Sequence, residues 1–207
     1  MVEPVTTDLA AIRAAVMHEV EGSRAPRPWW TVASVLVVSQ LAVVATIAVG
    51  WSLLFAAPIA MGWQTAALTV AVGAATVVAV RPPGEPALRL GAALAVAAAA
   101  AGAAFFASAH PHVFALTGEA DCLIGELGAS ILPALAMLIV LRSFAFSLQS
   151  ALLGGLAVAC TGVLVLDVTC PIGTLSHVVA FHLCPAAAVA AGLALVRSRL
   201  TSRSFAP

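Results

Sequence analysis

Cys122, Cys170, His177 and His182 are the side chains with the most chemistry to offer in this sequence. Thiolate and imidazole ligate zinc, copper and other soft or borderline metals, and paired thiols can be oxidised. Around them stand His110, His112, Glu119, Asp121, Glu126 and Asp167, which add imidazole and carboxylate groups. No CxxC pair and no zinc-finger spacing is present. A metal site would therefore have to be assembled in space, with Cys122, Cys170 and His177 as its first candidates. A Cys122–Cys170 bridge requires Cα atoms within about 7 Å. His177 and His182 are five positions apart, about 140° around an α-helix. On that geometry one helical face cannot offer both to a single ion. His182 then lies about a turn and a half deeper, as a sensing group or as a structural hydrogen-bonding group between helices. His110, His112 and Glu119 read more simply as interfacial polar groups. Cys160 and Cys184 lie inside apolar runs and behave as small hydrophobes.

What positions these groups is a set of apolar runs. Of 207 residues, 62% are hydrophobic and 9% charged, against about 25% charged in soluble domains. A water-soluble fold could not bury that much apolar surface, so lipid is the expected solvent. No charged residue occurs from Pro28 to Val80, enough for two spans of about 20 residues. The sequence predicts six spans, at 31–50, 63–80, 88–107, 122–141, 151–167 and 176–196. The fold class expected is all-α, a polytopic membrane bundle of six transmembrane helices. Three regions follow: 1–28 as an N-terminal helix and linker, 29–197 as the membrane domain, and 198–207 as a tail. On these boundaries Glu126 lies near the membrane edge, Arg197 starts a short basic tail, and Pro133 and Pro185 kink their spans.

The N-terminal region carries Leu9, Ile12, Val16 and Val20 at spacings of three and four, one face of a short amphipathic helix. Arg13 lies beside that stripe. Thr7 or Asp8 can cap the helix and Gly22 can end it. A helix of about 14 residues is marginal alone in water, so this stripe needs a covering surface, either the membrane or a soluble partner.

All nine cationic residues are arginines, and six spans put every one on the side of both termini. The positive-inside rule makes that side cytoplasmic and places Cys122, Cys170 and His177 on the opposite face. No basic run exists to neutralise phosphates, so direct nucleic-acid binding is not expected. No nucleophile–base–orienter set, phosphate loop or H-E-x-x-H is present, and no enzyme is expected. A small-solute or metal-ion transporter would show internal repeats or a central acidic pair, and neither is evident. A haem or quinone redox protein would want histidines on different helices, whereas His177 and His182 share one.

Cys122 opening the fourth span, Pro133 within it, Arg142 at its end, Gly154-Gly155, Cys170, His177, His182 and Pro185 form a pattern. With six spans, inward termini and a short amphipathic start, it resembles the six-helix membrane anti-sigma factors. These are the negative regulators of extracytoplasmic-function (ECF) sigma factors related to NrsF. The resemblance implies a bacterial inner-membrane protein with both termini cytoplasmic. Its N-terminal segment (Leu9, Ile12, Arg13, Val16, Val20) would hold an ECF sigma factor as partner. Metal or oxidative stress at Cys122, Cys170, His177 and His182 would release it. The only cofactor this implies is a transient heavy-metal ion, and the other partner is the lipid bilayer.

Overall fold

A computed structural model describes residues 28–56, 62–81, 90–96, 98, 99, 102, 116–170, 172 and 174–201. The described residues form helices and no strand: α1 (Trp29–Phe55), α2 (Trp63–Val80), α3 (Leu116–Arg142), α4 (Leu148–Thr169), α5 (Leu175–Val178), a π-turn (Val179–Leu183) and α6 (Cys184–Arg199). The last three run on as one rod. Five helical stretches are long and apolar enough to cross a membrane. The expected third span, 88–107, is helical at 90–96, and much of the rest of it lies outside the described residues. So do the N-terminal stripe Leu9, Ile12, Arg13, Val16 and Val20, the pair His110 and His112, and the side chain of Glu119.

The helices start and stop where backbone chemistry dictates. Pro28 precedes α1, and Thr31 Oγ1 donates to its carbonyl at 2.7 Å. Ala56, in the left-handed region with φ of 50°, ends α1. Ser147 caps α4, accepting from the Ser150 N–H. Within the spans, hydroxyls turn back onto their own helix. Thr46 Oγ1 donates to Ala42 O, Thr161 Oγ1 to Ala157 O and Thr169 Oγ1 to Val165 O, at 2.7, 2.9 and 2.8 Å. Such bonds let polar side chains persist where no water is available.

The bundle is built around α4. Its most apolar window is 83% buried, whereas no other span exceeds 44%. α2, α3, α6 and α1 all pack on it. Glycine sets how closely they approach. A Cβ at Gly155 would stand 2.5 Å from Ala190 O and 2.9 Å from Ala190 Cα, so the α4 and α6 backbones touch there. Small residues at helix contacts are the usual packing device where lipid removes the hydrophobic drive. Leu54, Val70, Ile139 and Leu195 point outward, as apolar side chains do when the surroundings are acyl chains.

Two polar contacts lock α2 in register. Thr76 Oγ1 donates to Gln40 Oε1 of α1 at 2.9 Å. Thr65 Oγ1 donates to Asp167 Oδ2 of α4 at 2.7 Å. The second contact also shows that α2 starts at the end of the bundle where α4 finishes.

Arg197, which the sequence places at the start of the short basic tail, belongs to the packed bundle instead. It is 2% exposed. Its Nε donates to Leu141 O at 3.0 Å, one terminal nitrogen to Phe144 O at 2.8 Å and the other to Leu200 O at 3.0 Å. The last carbonyls of a helix lack intrahelical partners, and the guanidinium fork takes up Leu141 O at the end of α3 together with Phe144 O just beyond it. It also lies over the Phe146 ring, 5.5 Å from the centroid.

Candidate functional site

Three separate stretches deliver the four predicted sensing residues to one end of the bundle. Cys122 lies in the N-terminal part of α3. Cys170 is the residue that ends α4, its N–H bonded to Leu166 O. His177 lies in α5 and His182 in the π-turn. Cys122 Sγ and Cys170 Sγ are 3.5 Å apart. Cys170 Sγ and His177 Nε2 are 3.3 Å apart. One ligand atom from each of the four residues falls within 4.8 Å of the other three. All four cysteines are free thiols.

His182 belongs to this cluster, which corrects the α-helical argument that separated it from His177. The rings are 5.1 Å apart in an edge-on arrangement, with 76° between their planes. The cause is local. Pro185 has no N–H, and its ring crowds the carbonyl four residues back, at Phe181. The backbone widens instead, and Cys184 N–H bonds to Val179 O, five residues earlier. A π-turn brings residues five apart onto one face. The signal was in the sequence, as a proline three residues after the deeper histidine.

The surroundings suit a ligand set. His177 is fully buried and His182 is 5% exposed. Phe181 stands beside His177, with ring centroids 5.2 Å apart. His182 Nε2 has no hydrogen-bond partner among the described residues. Tetrahedral zinc, with bonds of about 2.3 Å to sulfur and 2.0–2.1 Å to nitrogen, separates neighbouring ligand atoms by about 3.3–3.8 Å. The Cys122–Cys170 and Cys170–His177 contacts already match that spacing, and no pair need close by more than about 1.5 Å. The residues present therefore fit a four-coordinate soft or borderline metal ion. The thiol pair is equally placed for oxidation.

Glu126, which the sequence places near the start of its span, is fully buried inside the bundle. It follows Cys122 by one helical turn and lies against Gly162 of α4. A Cβ at Gly162 would be 2.7 Å from Glu126 Cγ and from Ser130 Oγ. The missing side chain at Gly162 makes room for both polar groups, which sequence spacing within α3 does not reveal. Neither Glu126 oxygen nor Ser130 Oγ has a hydrogen-bond partner among the described residues. Cys160 is core, as expected, while Cys184 is exposed on the outside of the bundle.

No protein-family model, no curated protein and no solved structure matches the chain.

Proposed function

We propose that this chain is a membrane-bound anti-sigma factor whose thiol–imidazole cluster senses a soft metal ion or an oxidant. The supporting observation is the convergence of Cys122, Cys170, His177 and His182 from three stretches of chain, with ligand atoms within 4.8 Å of one another. An ion held by all four ties α3, the end of α4 and the last rod together. An oxidant of the peroxide class does a related thing with two of them. The thiols of Cys122 and Cys170 lose two protons and two electrons, an S–S bond forms, and the peroxide is reduced to water and an alcohol.

Either event changes the relative stability of two packings of the bundle, which is what a switch requires. The rod carrying His177 and His182 continues to Arg197, which holds Leu141 O and Phe144 O at the other end. A change at the cluster is thereby conveyed to the arginine-bearing end. There the N-terminal segment, with Leu9, Ile12, Arg13, Val16 and Val20, holds an ECF sigma factor away from RNA polymerase and releases it on signal. The inner membrane, with both termini cytoplasmic, is the setting this mechanism needs.

The test is co-purification of the tagged full-length protein from cells expressing ECF sigma factors, with and without zinc, cadmium or peroxide. Capture of a sigma factor in untreated cells and its loss on treatment are expected. Deleting residues 1–22 should abolish capture. Sigma-factor recovery that survives the deletion would contradict the assignment of the binding segment.

A further inference from the structure

The end of the bundle opposite Cys170 holds a cavity of about 290 Å³. Arg81 closes α2 there, Ser147 caps α4, and Arg197 reaches in from α6. The volume is at the lower end of the roughly 300–1,000 Å³ that small-molecule sites span. The polar lining residues are Arg81, Arg197, Ser147 and Ser150, and a guanidinium stays charged at any physiological pH. The bonds from Arg197 to Leu141 O, Phe144 O and Leu200 O fix the cation in place, and neutral carbonyls leave its charge intact. Arg142 stands near enough for its like charge to act on Arg197. Cations gathered in this way repel one another, and an anion set among them is attracted by each.

The remaining lining is apolar, with Val80, Leu141, Phe144, Phe146 and Ala151 among it. Ala145 and Phe146 are exposed, so the cavity opens to the surface along the loop before α4. Its depth is marked by tryptophan. Arg81 lies over the Trp29 ring, 6.0 Å from the centroid, and Trp29 and Trp30 begin α1, where aromatic side chains sit at the level of lipid head groups.

We infer that this cavity binds the phosphate head group of an anionic phospholipid from the leaflet on the arginine side. Its acyl chains run out along the apolar surface of the bundle. Basic pockets between transmembrane helices are known seats of such head groups. A lipid fits better than free phosphate, because free phosphate would leave the apolar lining uncovered. The site is separate from the thiol–imidazole cluster and does not depend on it.

The experiment is native mass spectrometry of the purified full-length protein in detergent, with phosphatidylglycerol and phosphatidylcholine of matched chains in competition. The ratio of bound anionic to zwitterionic lipid is the readout. Wild type should favour phosphatidylglycerol. Arg81→Gln removes one cation, and Ala145→Glu places a carboxylate at the exposed mouth, where the fold is not at risk. Each should lower the ratio about five-fold, the usual effect of one charge near an anionic head group. Arg199→Gln, exposed and outside the cavity, should leave the ratio near that of wild type. An unchanged ratio in both Arg81→Gln and Ala145→Glu would overturn the inference. So would an equal loss in Arg199→Gln, which would reduce the effect to general surface charge. Displacement of phosphatidylglycerol by millimolar inorganic phosphate would overturn the lipid assignment in favour of a free anion. A preference that appears only after residues 1–22 are deleted would overturn it in favour of the chain's own N-terminal segment.

Discussion

His177 and His182 face each other edge-on at 5.1 Å although five residues separate them. An α-helix would turn them apart, and the π-turn ahead of Pro185 turns them together. The four-ligand cluster thus depends on a proline that carries no ligand. Replacing it restores a backbone N–H and lets the α-helical bond to Phe181 O form. Pro185→Ala should therefore weaken zinc binding roughly ten- to hundred-fold, comparable to losing an outer support of a metal ligand. Zinc competition titration checks this, with circular dichroism confirming the helical content. Wild-type affinity in the variant would remove the π-turn from the mechanism.

The thiols make a separate prediction. Cys122 Sγ and Cys170 Sγ are in contact, so mild peroxide should form one intramolecular disulfide between them, identified by peptide mapping. Zinc bound beforehand should protect the pair. Ser at either position should leave the fold intact and abolish the cross-link. A cross-link that instead involves Cys184, exposed on the outside of the bundle, would signal contact between chains.

Close packing of α4 on α6 can be tested with glycine. Gly155→Ala drives a methyl into Ala190 backbone, whereas nothing lies within 4 Å of a Cβ at Gly192. The first change should cost about 1–3 kcal/mol. The second should be neutral or stabilise by up to about 1 kcal/mol, since alanine is the better helix former. Denaturant unfolding in mixed micelles separates them, and equal stabilities would contradict the α4–α6 contact.

Much of this fold is legible from runs of apolar residues alone. The charge-free stretch after Pro28 becomes α1 and α2, and the runs ending at Arg142 and near Asp167 become α3 and α4. What sequence spacing misses has one physical origin, namely partners supplied by another helix or by non-α backbone. His182 joins His177 because the helix is not α there. Glu126 is interior because Gly162 on a different helix makes room. Arg197 is buried because it takes up the carbonyls of Leu141, at the end of α3, and of Phe144, just beyond it. By contrast, the grouping of Cys122, Cys170 and His177 was readable, since the run lengths fixed which span ends lie together.

Arg197 provides the matching test at the opposite end. Arg197→Gln keeps polarity but loses the charge and the fork that reaches both Leu141 O and Phe144 O. A loss of about 1.5–3 kcal/mol is expected, the usual scale for hydrogen bonds from a charged donor. The same unfolding assay measures it. If the inferred coupling holds, this variant should also release the sigma factor without any inducing signal, seen as reduced co-purification from untreated cells.

The most direct test is X-ray absorption at the zinc edge on the full-length protein loaded with one equivalent of zinc. A shell of two sulfurs at about 2.3 Å and two imidazole nitrogens at about 2.0–2.1 Å is expected, with one nitrogen lost in His182→Ala. A shell of oxygens, or one that His182→Ala leaves unchanged, would contradict the cluster as the sensing site.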